Sequence, residues 1–172
     1  MTSTEPCKLI AVIGGGVIGG GWVARCLLNG ITVNLYDPDP NAPSKIDEIM
    51  INAKLAFSKL IEGPVPRRGK LYFSDSIGSA VAKADLIIES VPERLDIKQS
   101  VYNDIESTAA ADTLIASSTS GILPSNLQDK MATPDRLVVA HPFNPVYLLP
   151  LVEIVGGAKT SREAIKNAAH LF

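Results

Sequence analysis

The sequence of 172 residues has few of the side chains that build cysteine-based metal centres or disulfide frameworks. Its two cysteines, Cys7 and Cys26, have neither the spacing of a metal site nor that of a redox pair. Cys26 falls on the apolar side of a predicted helix, so we expect it in the core. Unpatterned cysteines are typical of a reducing compartment, and we expect a cytoplasmic protein without a bound metal.

The chain also lacks a strong charge of either sign and a long apolar run. A formal net charge of −2 offers no electrostatic attraction for nucleic acid or an anionic membrane. No apolar segment approaches the roughly 20 residues that a membrane span needs, and residues 1–13 lack the features of a signal peptide. With 46% hydrophobic and 20% charged residues, we expect one globular domain that binds neither nucleic acid nor membrane.

What the chain does have is a glycine-rich turn between a predicted strand, residues 8–13, and a predicted helix ending at Asn29-Gly30. The turn has the spacing G-x-G-x-x-G. Gly14 permits the bend, Gly16 lets a pyrophosphate approach the backbone, and Gly19 packs the helix close to the strand. This context predicts a dinucleotide site at the helix N-terminus, and the alternative is a glycine turn that only packs. The predicted phosphate-binding residues are Gly14, Gly15, Gly16, Val17, Ile18 and Gly19.

An acidic residue stands at the end of the next predicted strand, residues 31–36. Asp37 lies 23 positions after Gly14, where a carboxylate that binds ribose hydroxyls is expected. It would repel a 2′-phosphate, and Pro38 stands where a phosphate-binding arginine would help. The sequence therefore predicts NAD rather than NADP, and the alternative is an ordinary turn residue.

The rest of the chain alternates between helical patterns and short, continuously apolar strands. A helix is predicted from Ser44, as N-cap with Asp47 as its capping-box partner, to about residue 61. Such alternation indicates an α/β fold: a Rossmann-type doubly wound, mostly parallel sheet with helices on both faces. Further strands are predicted at 71–73, 86–88, 114–116 and 137–140, with helices near 77–82 and 95–109.

Polar side chains follow several of these strands, at the edge where such sheets bind ligands. His141 follows residues 137–140 and can accept a proton from an alcohol, and Glu153, after Leu151-Val152, can orient its imidazole. Ser120 can hydrogen-bond the substrate oxygen. The open alternatives are a structural histidine, a turn-forming or helix-capping serine and an ordinary exposed carboxylate.

The runs that carry these residues resemble the 3-hydroxyacyl-CoA dehydrogenase family. They are ASSTS at 116–120, HPFNP at 141–145 and LVEIV at 151–155, and the resemblance extends from about Lys8 to the last residue. The runs ESVPERLD at 89–96, DPDP at 37–40 and HPFNPVYLLPLVE at 141–153 look most like the carnitine-oxidising branch of that family.

The resemblance implies an NAD-dependent 3-hydroxy-acid dehydrogenase that works as a homodimer, with L-carnitine as the small-molecule substrate. His141 matches the catalytic histidine, Glu153 its carboxylate partner, and Ser120 the serine that contacts substrate and nicotinamide. The residues Glu93, Lys98 and Asn144 match positions that line the cofactor site. Without the resemblance, Lys98 would be a solvated helix lysine and Asn144 part of a turn. For the trimethylammonium group of carnitine, the nearby aromatic residues are Tyr147 and Phe143.

Two departures from the family qualify this reading. Residues 44–61 offer only Lys45, Lys54 and Lys59 where CoA-using members carry a basic segment, which favours a small free acid over a CoA ester. The family also continues into a helical C-terminal domain, whereas this sequence stops at 172, inside a helix that Thr160 and Glu163 open as a capping box. We therefore expect residues 1–172 to be the dinucleotide-binding domain alone. A short-chain 3-hydroxyacyl-CoA dehydrogenase, another hydroxy-acid dehydrogenase and a non-catalytic NAD-binding domain stay open.

Overall fold

A computed structural model describes residues 7–60 and 67–172, which form one seven-stranded sheet flanked by helices. The strand order is β3-β2-β1-β4-β5-β6-β7, in which the first six strands are parallel and β7 is antiparallel to β6. The predicted fold class is confirmed. The strands are β1 (Leu9–Ile13), β2 (Thr32–Tyr36), β3 (Leu71–Phe73), β4 (Leu86–Glu89), β5 (Leu114–Ser117), β6 (Leu137–Pro142) and β7 (Val152–Gly156).

Helices cover both faces of the sheet because successive residues of a strand point to opposite sides. In β1, Ile10 and Val12 join the core under one group of helices, whereas Ala11 and Ile13 join the core under the other. The first group is α1 (Val17–Leu28), α2 (Ala42–Leu60) and α6 (Arg162–Leu171), and the second is α3 (Ile77–Val81), α4 (Leu95–Glu106) and α5 (Pro124–Leu127). None of the helices within residues 7–60 and 67–172 is long and apolar enough to cross a membrane.

The order of the strands creates a crevice between β1 and β4. The chain builds outward from β1 to β2 and β3, then returns to place β4 on the other side of β1. Ligands of doubly wound sheets bind at the carboxyl ends of the strands where the order reverses. The glycine turn follows β1 and Glu89 ends β4, so both stand at this point.

The predicted starts of two helices were wrong. The helix α2 begins at Ala42, so Ser44 lies inside its first turn and does not cap it. The turn before it is made by Asp39, which accepts hydrogen bonds from the backbone N–H groups of Asn41 and Ala42. The predicted end near residue 61 lies outside the described part of the chain. For α6 the N-cap is Ser161, because the Thr160 hydroxyl instead donates to the Leu137 carbonyl.

Glu153 lies within the last strand, not after a strand as predicted. Residues 151–152 were expected to end a strand just before this glutamate, but β7 continues through it to Gly156. Because β7 runs antiparallel to β6, Glu153 lies directly opposite His141 in the register of the two strands. His141 itself lies inside β6 rather than after it. The pair is therefore held by sheet hydrogen bonds, not by loops.

Candidate cofactor and active site

The glycine turn leaves one backbone position open to a ligand. Gly14 has a φ of 95°, and a Cβ there would lie 2.6 Å from the Ser90 carbonyl oxygen. A Cβ on Gly19 would overlap the Gly14 carbonyl oxygen. A Cβ on Gly16 would meet no atom of the described structure within 4 Å. Packing thus requires the first and third glycines, whereas the second leaves space for a phosphate to reach the backbone.

The N-terminus of α1 suits an anion. No side chain of the described residues caps it, and its first turn holds no acidic residue. The first N–H groups of a helix have no intrahelical acceptor, and the helix dipole makes this end positive. Val17 is exposed here, and Ile18 lines an adjoining cleft. The turn and the helix start together fit the pyrophosphate of a dinucleotide.

Asp37 is fixed beside this turn. One carboxylate oxygen accepts a hydrogen bond from the Gly15 N–H at 2.5 Å, and the other accepts one from the Asp39 N–H at 2.8 Å. A carboxylate can accept about four hydrogen bonds, so positions remain for ribose hydroxyls. A glycine suits position 15, because a Cβ there would lie only 3.3 Å from the same carboxylate oxygen, which is a tight contact.

We expect the protein to bind NADH more tightly than NADPH, by roughly tenfold or more, because Asp37 would face the 2′-phosphate with a like charge. Fluorescence titration with both nucleotides measures the ratio. The variant Asp37→Asn removes the charge and keeps an acceptor, and it should bring the two affinities closer together. Equal affinities in the unmodified protein would contradict the role of Asp37.

Two clefts meet at Ser120. The first, of about 180 Å³, adjoins the start of α1, and the second, of about 250 Å³, surrounds His141 and Glu153. The exposed Ser120 borders both. This geometry joins the predicted cofactor region to the predicted acid–base pair through one serine. The first cleft is lined by Ile18, Ser90, Val91, Glu93, Lys98, Ser118 and Ser120.

His141 and Glu153 form a cross-strand pair. The distance between His141 Nδ1 and a Glu153 carboxylate oxygen is 2.9 Å. Because a carboxylate only accepts, we assign the proton to Nδ1, which leaves Nε2 as a proton acceptor. The histidine is partly buried and the glutamate is exposed. The ring of Phe143 is exposed, and its centroid lies 5.9 Å from the centroid of the imidazole. Tyr147 instead packs against the core.

Glu93 holds the loop that carries Ser120. One of its carboxylate oxygens accepts hydrogen bonds from the Thr119 hydroxyl at 2.5 Å and from the N–H groups of Ser120 and Gly121, both at 2.9 Å. Partial burial of Glu93 acts to raise its pKa, but these hydrogen bonds and nearby Lys98 outweigh it and hold the pKa below its usual value. Glu93 is therefore an anionic support for the loop at neutral pH.

Lys98 is not the solvated lysine that its helix position alone would suggest. It is 1% exposed, and its ammonium donates to Glu89 at 2.6 Å and to the Val91 carbonyl at 3.2 Å. Sequence reasoning missed Glu89, although an acidic residue ending an apolar strand beside the glycine turn was a usable signal.

Asn144, predicted to line the cofactor site, is exposed and lines neither cleft.

The fold and this site define a class of protein: a Rossmann-type NAD-binding domain, with a glycine turn after β1 and polar groups gathered at the carboxyl edge of the sheet. Residues 9–172 match the family described as 3-hydroxyacyl-CoA dehydrogenase, NAD binding domain. The chain belongs to this family.

Relatives of known name are similar over almost the whole chain. It is 56% identical over 163 residues to L-carnitine dehydrogenase of Mesorhizobium japonicum, covering 94% of this chain and 45% of the relative. It is 58% identical over 158 residues to L-carnitine dehydrogenase/betainyl-CoA thioesterase of Rhizobium meliloti, covering 92% of this chain and 32% of the relative. The chain thus spans less than half the length of these two relatives.

Solved structures share the fold. The NAD⁺-dependent dismutase 5-formyl-3-hydroxy-2-methylpyridine 4-carboxylic acid 5-dehydrogenase is 37% identical with a TM-score of 0.87, covering 95% of this chain and 53% of that one. The 3-hydroxybutyryl-CoA dehydrogenase of Escherichia coli is 27% identical with a TM-score of 0.85, and the match covers 97% of this chain and 36% of that one.

Proposed function

We propose that residues 1–172 form the NAD-binding domain of an L-carnitine 3-dehydrogenase. The reaction is L-carnitine plus NAD⁺ giving 3-dehydrocarnitine, NADH and a proton. The observation that carries this proposal is that the two clefts share Ser120. The first cleft lies beside the glycine turn, and the second surrounds His141 and Glu153. The names of the relatives support the choice of substrate.

In the proposed reaction His141 is the general base. Its Nε2 takes the proton of the substrate hydroxyl, and Glu153 keeps Nδ1 protonated and stabilises the imidazolium that forms. The Ser120 hydroxyl donates a hydrogen bond to the substrate oxygen. Bound NAD⁺ supplies the acceptor for the hydride that leaves the alcohol carbon. Glu93 and Lys98, which line the first cleft, are proposed to contribute to the cofactor site. Asn144 lines neither cleft and is proposed to contribute on the resemblance to the family alone.

A free acid suits the surface of α2 better than a CoA ester does. Of its three lysines, Lys45 is already paired with Asp39 at 2.6 Å. The exposed acidic residues Asp47 and Glu48 offset much of the remaining positive charge. For the trimethylammonium group, Phe143 is the better candidate of the two aromatic residues, because its exposed ring lies next to His141.

The test is substrate choice by a chimera in which residues 1–172 replace the matching part of the Mesorhizobium japonicum relative. We expect NADH formation with L-carnitine and little or none with 3-hydroxybutyryl-CoA. The unmodified relative, assayed in parallel, shows that the joined part is competent. Turnover of the CoA ester without turnover of carnitine would favour a short-chain 3-hydroxyacyl-CoA dehydrogenase instead.

We further propose that the whole protein acts in the cytoplasm as a homodimer. The free cysteines Cys7 and Cys26 support a reducing compartment. The dimer rests on the resemblance to the family. Light scattering on the chimera measures its mass directly.

A further inference from the structure

Glu89 is a fully buried carboxylate with an unusual number of strong donors. It is 0% exposed. One oxygen accepts from Lys98 Nζ at 2.6 Å and from the Val91 N–H at 2.9 Å. The other accepts from the hydroxyls of Tyr102 and Ser117, each at 2.6 Å. Burial and the charge of Glu89 raise the pKa of Tyr102 well above its usual value, so its phenol stays a donor.

Stability alone is a poor explanation for such a pair. Taking two charges out of water costs more than their attraction often returns, and packed apolar residues can do as well. The pair also stands at the carboxyl end of β4, beside the first cleft, rather than in the middle of either core. Its position points to a role in shaping that cleft.

The contacts of Lys98 extend from Glu89 into the cleft. Its ammonium lies 3.5 Å from the second carboxylate oxygen of Glu93. The first oxygen of Glu93 holds Ser120 and Gly121 by their N–H groups. Ion pairs thus connect Glu89 at the buried end of β4 to Lys98, and Lys98 to Glu93. Hydrogen bonds then connect Glu93 to the loop between the two clefts.

We propose that Glu89 is a positioning residue of the first cleft, where the cofactor is proposed to bind. Its carboxylate holds the Lys98 ammonium in the cleft wall, Lys98 holds Glu93, and Glu93 sets the position of Ser120. Glu89 itself reaches neither cleft lining, so it acts through Lys98. This inference rests on the proposed placing of the cofactor in the first cleft.

The test compares Glu89→Gln, Lys98→Met and the double variant in the 172-residue chain. Asp96→Asn is the matched control, because Asp96 makes an ion pair of the same 2.6 Å length on the same helix, with both partners exposed. Three quantities are measured: Tm, NADH affinity and exchange of the Ser120 and Gly121 amide protons. The single tryptophan, Trp22, donates to the cleft residue Ser118 and reports NADH by fluorescence.

We expect Glu89→Gln to lower Tm, to weaken NADH binding roughly tenfold or more, and to speed exchange of both amides. The double variant removes both buried charges, so its Tm should recover towards the unmodified value while NADH binding stays weak and exchange stays fast. Asp96→Asn should change none of the three.

The proposal would be overturned if the double variant regained NADH affinity and slow amide exchange along with its Tm. The Glu89–Lys98 pair would then serve stability only. Unchanged affinity and exchange in Lys98→Met would also overturn it. If Glu89→Gln does not fold, these two variants decide. If the unmodified chain fails to bind NADH, the placing of the cofactor fails, and the amide exchange still tests the link from Glu89 to the Ser120 loop.

Discussion

Replacing His141 by alanine in the chimera should lower kcat for L-carnitine oxidation by about 10²–10⁴-fold, the range that a positioned general base contributes. The imidazole lies opposite Glu153 on adjacent strands, so its removal leaves Glu153, a weaker base, as the titratable group that lines the second cleft within the described residues. NADH affinity should change little, because the histidine does not line the first cleft.

The chain offers a matched control for this experiment. Its other histidine, His170, is exposed on α6, and His170→Ala should keep full activity. Glu153→Gln should also lower kcat strongly, because the amide no longer stabilises the imidazolium and can donate to Nδ1, which would leave the proton on Nε2. A His141→Ala chimera that keeps near-normal kcat would remove the proposed base.

Replacing Gly16 by valine should abolish measurable NADH binding, a loss of roughly 100-fold or more, with little change in Tm. The position faces open space and has a φ of −64°, which any residue adopts, so the fold should accept the side chain. The branched side chain would then occupy the path of the pyrophosphate. Isothermal calorimetry with NADH and a thermal melt measure the two effects.

Gly19→Ala provides the contrast. Its Cβ would overlap the Gly14 carbonyl oxygen, so α1 must move from β1 and Tm should fall sharply. The two variants therefore separate a glycine kept for the ligand from a glycine kept for packing. Normal NADH binding by Gly16→Val would place the phosphates elsewhere.

The sequence by itself was sufficient for the features that depend on local spacing. The glycine turn, the helix after it and Asp37 at the end of β2 lie within one βαβ unit, where each residue type follows from the backbone geometry next to it. Short apolar strands between helical patterns likewise indicated a parallel sheet covered on both faces. The starts of α2 and α6 were wrong, because a turn at Asp39 begins α2 ahead of Ser44, and Ser161 rather than its neighbour Thr160 caps α6.

Only the tertiary structure decided which distant side chains meet. Whether β7 runs parallel or antiparallel depends on the path of the chain between β6 and β7, and the antiparallel pairing puts Glu153 opposite His141. Lys98 reads as a surface residue until α4 is packed against the end of β4, which buries it against Glu89. Apolar periodicity reports which face of an element is buried but not the partner it is buried against, so a buried ion pair between two elements cannot be read from it.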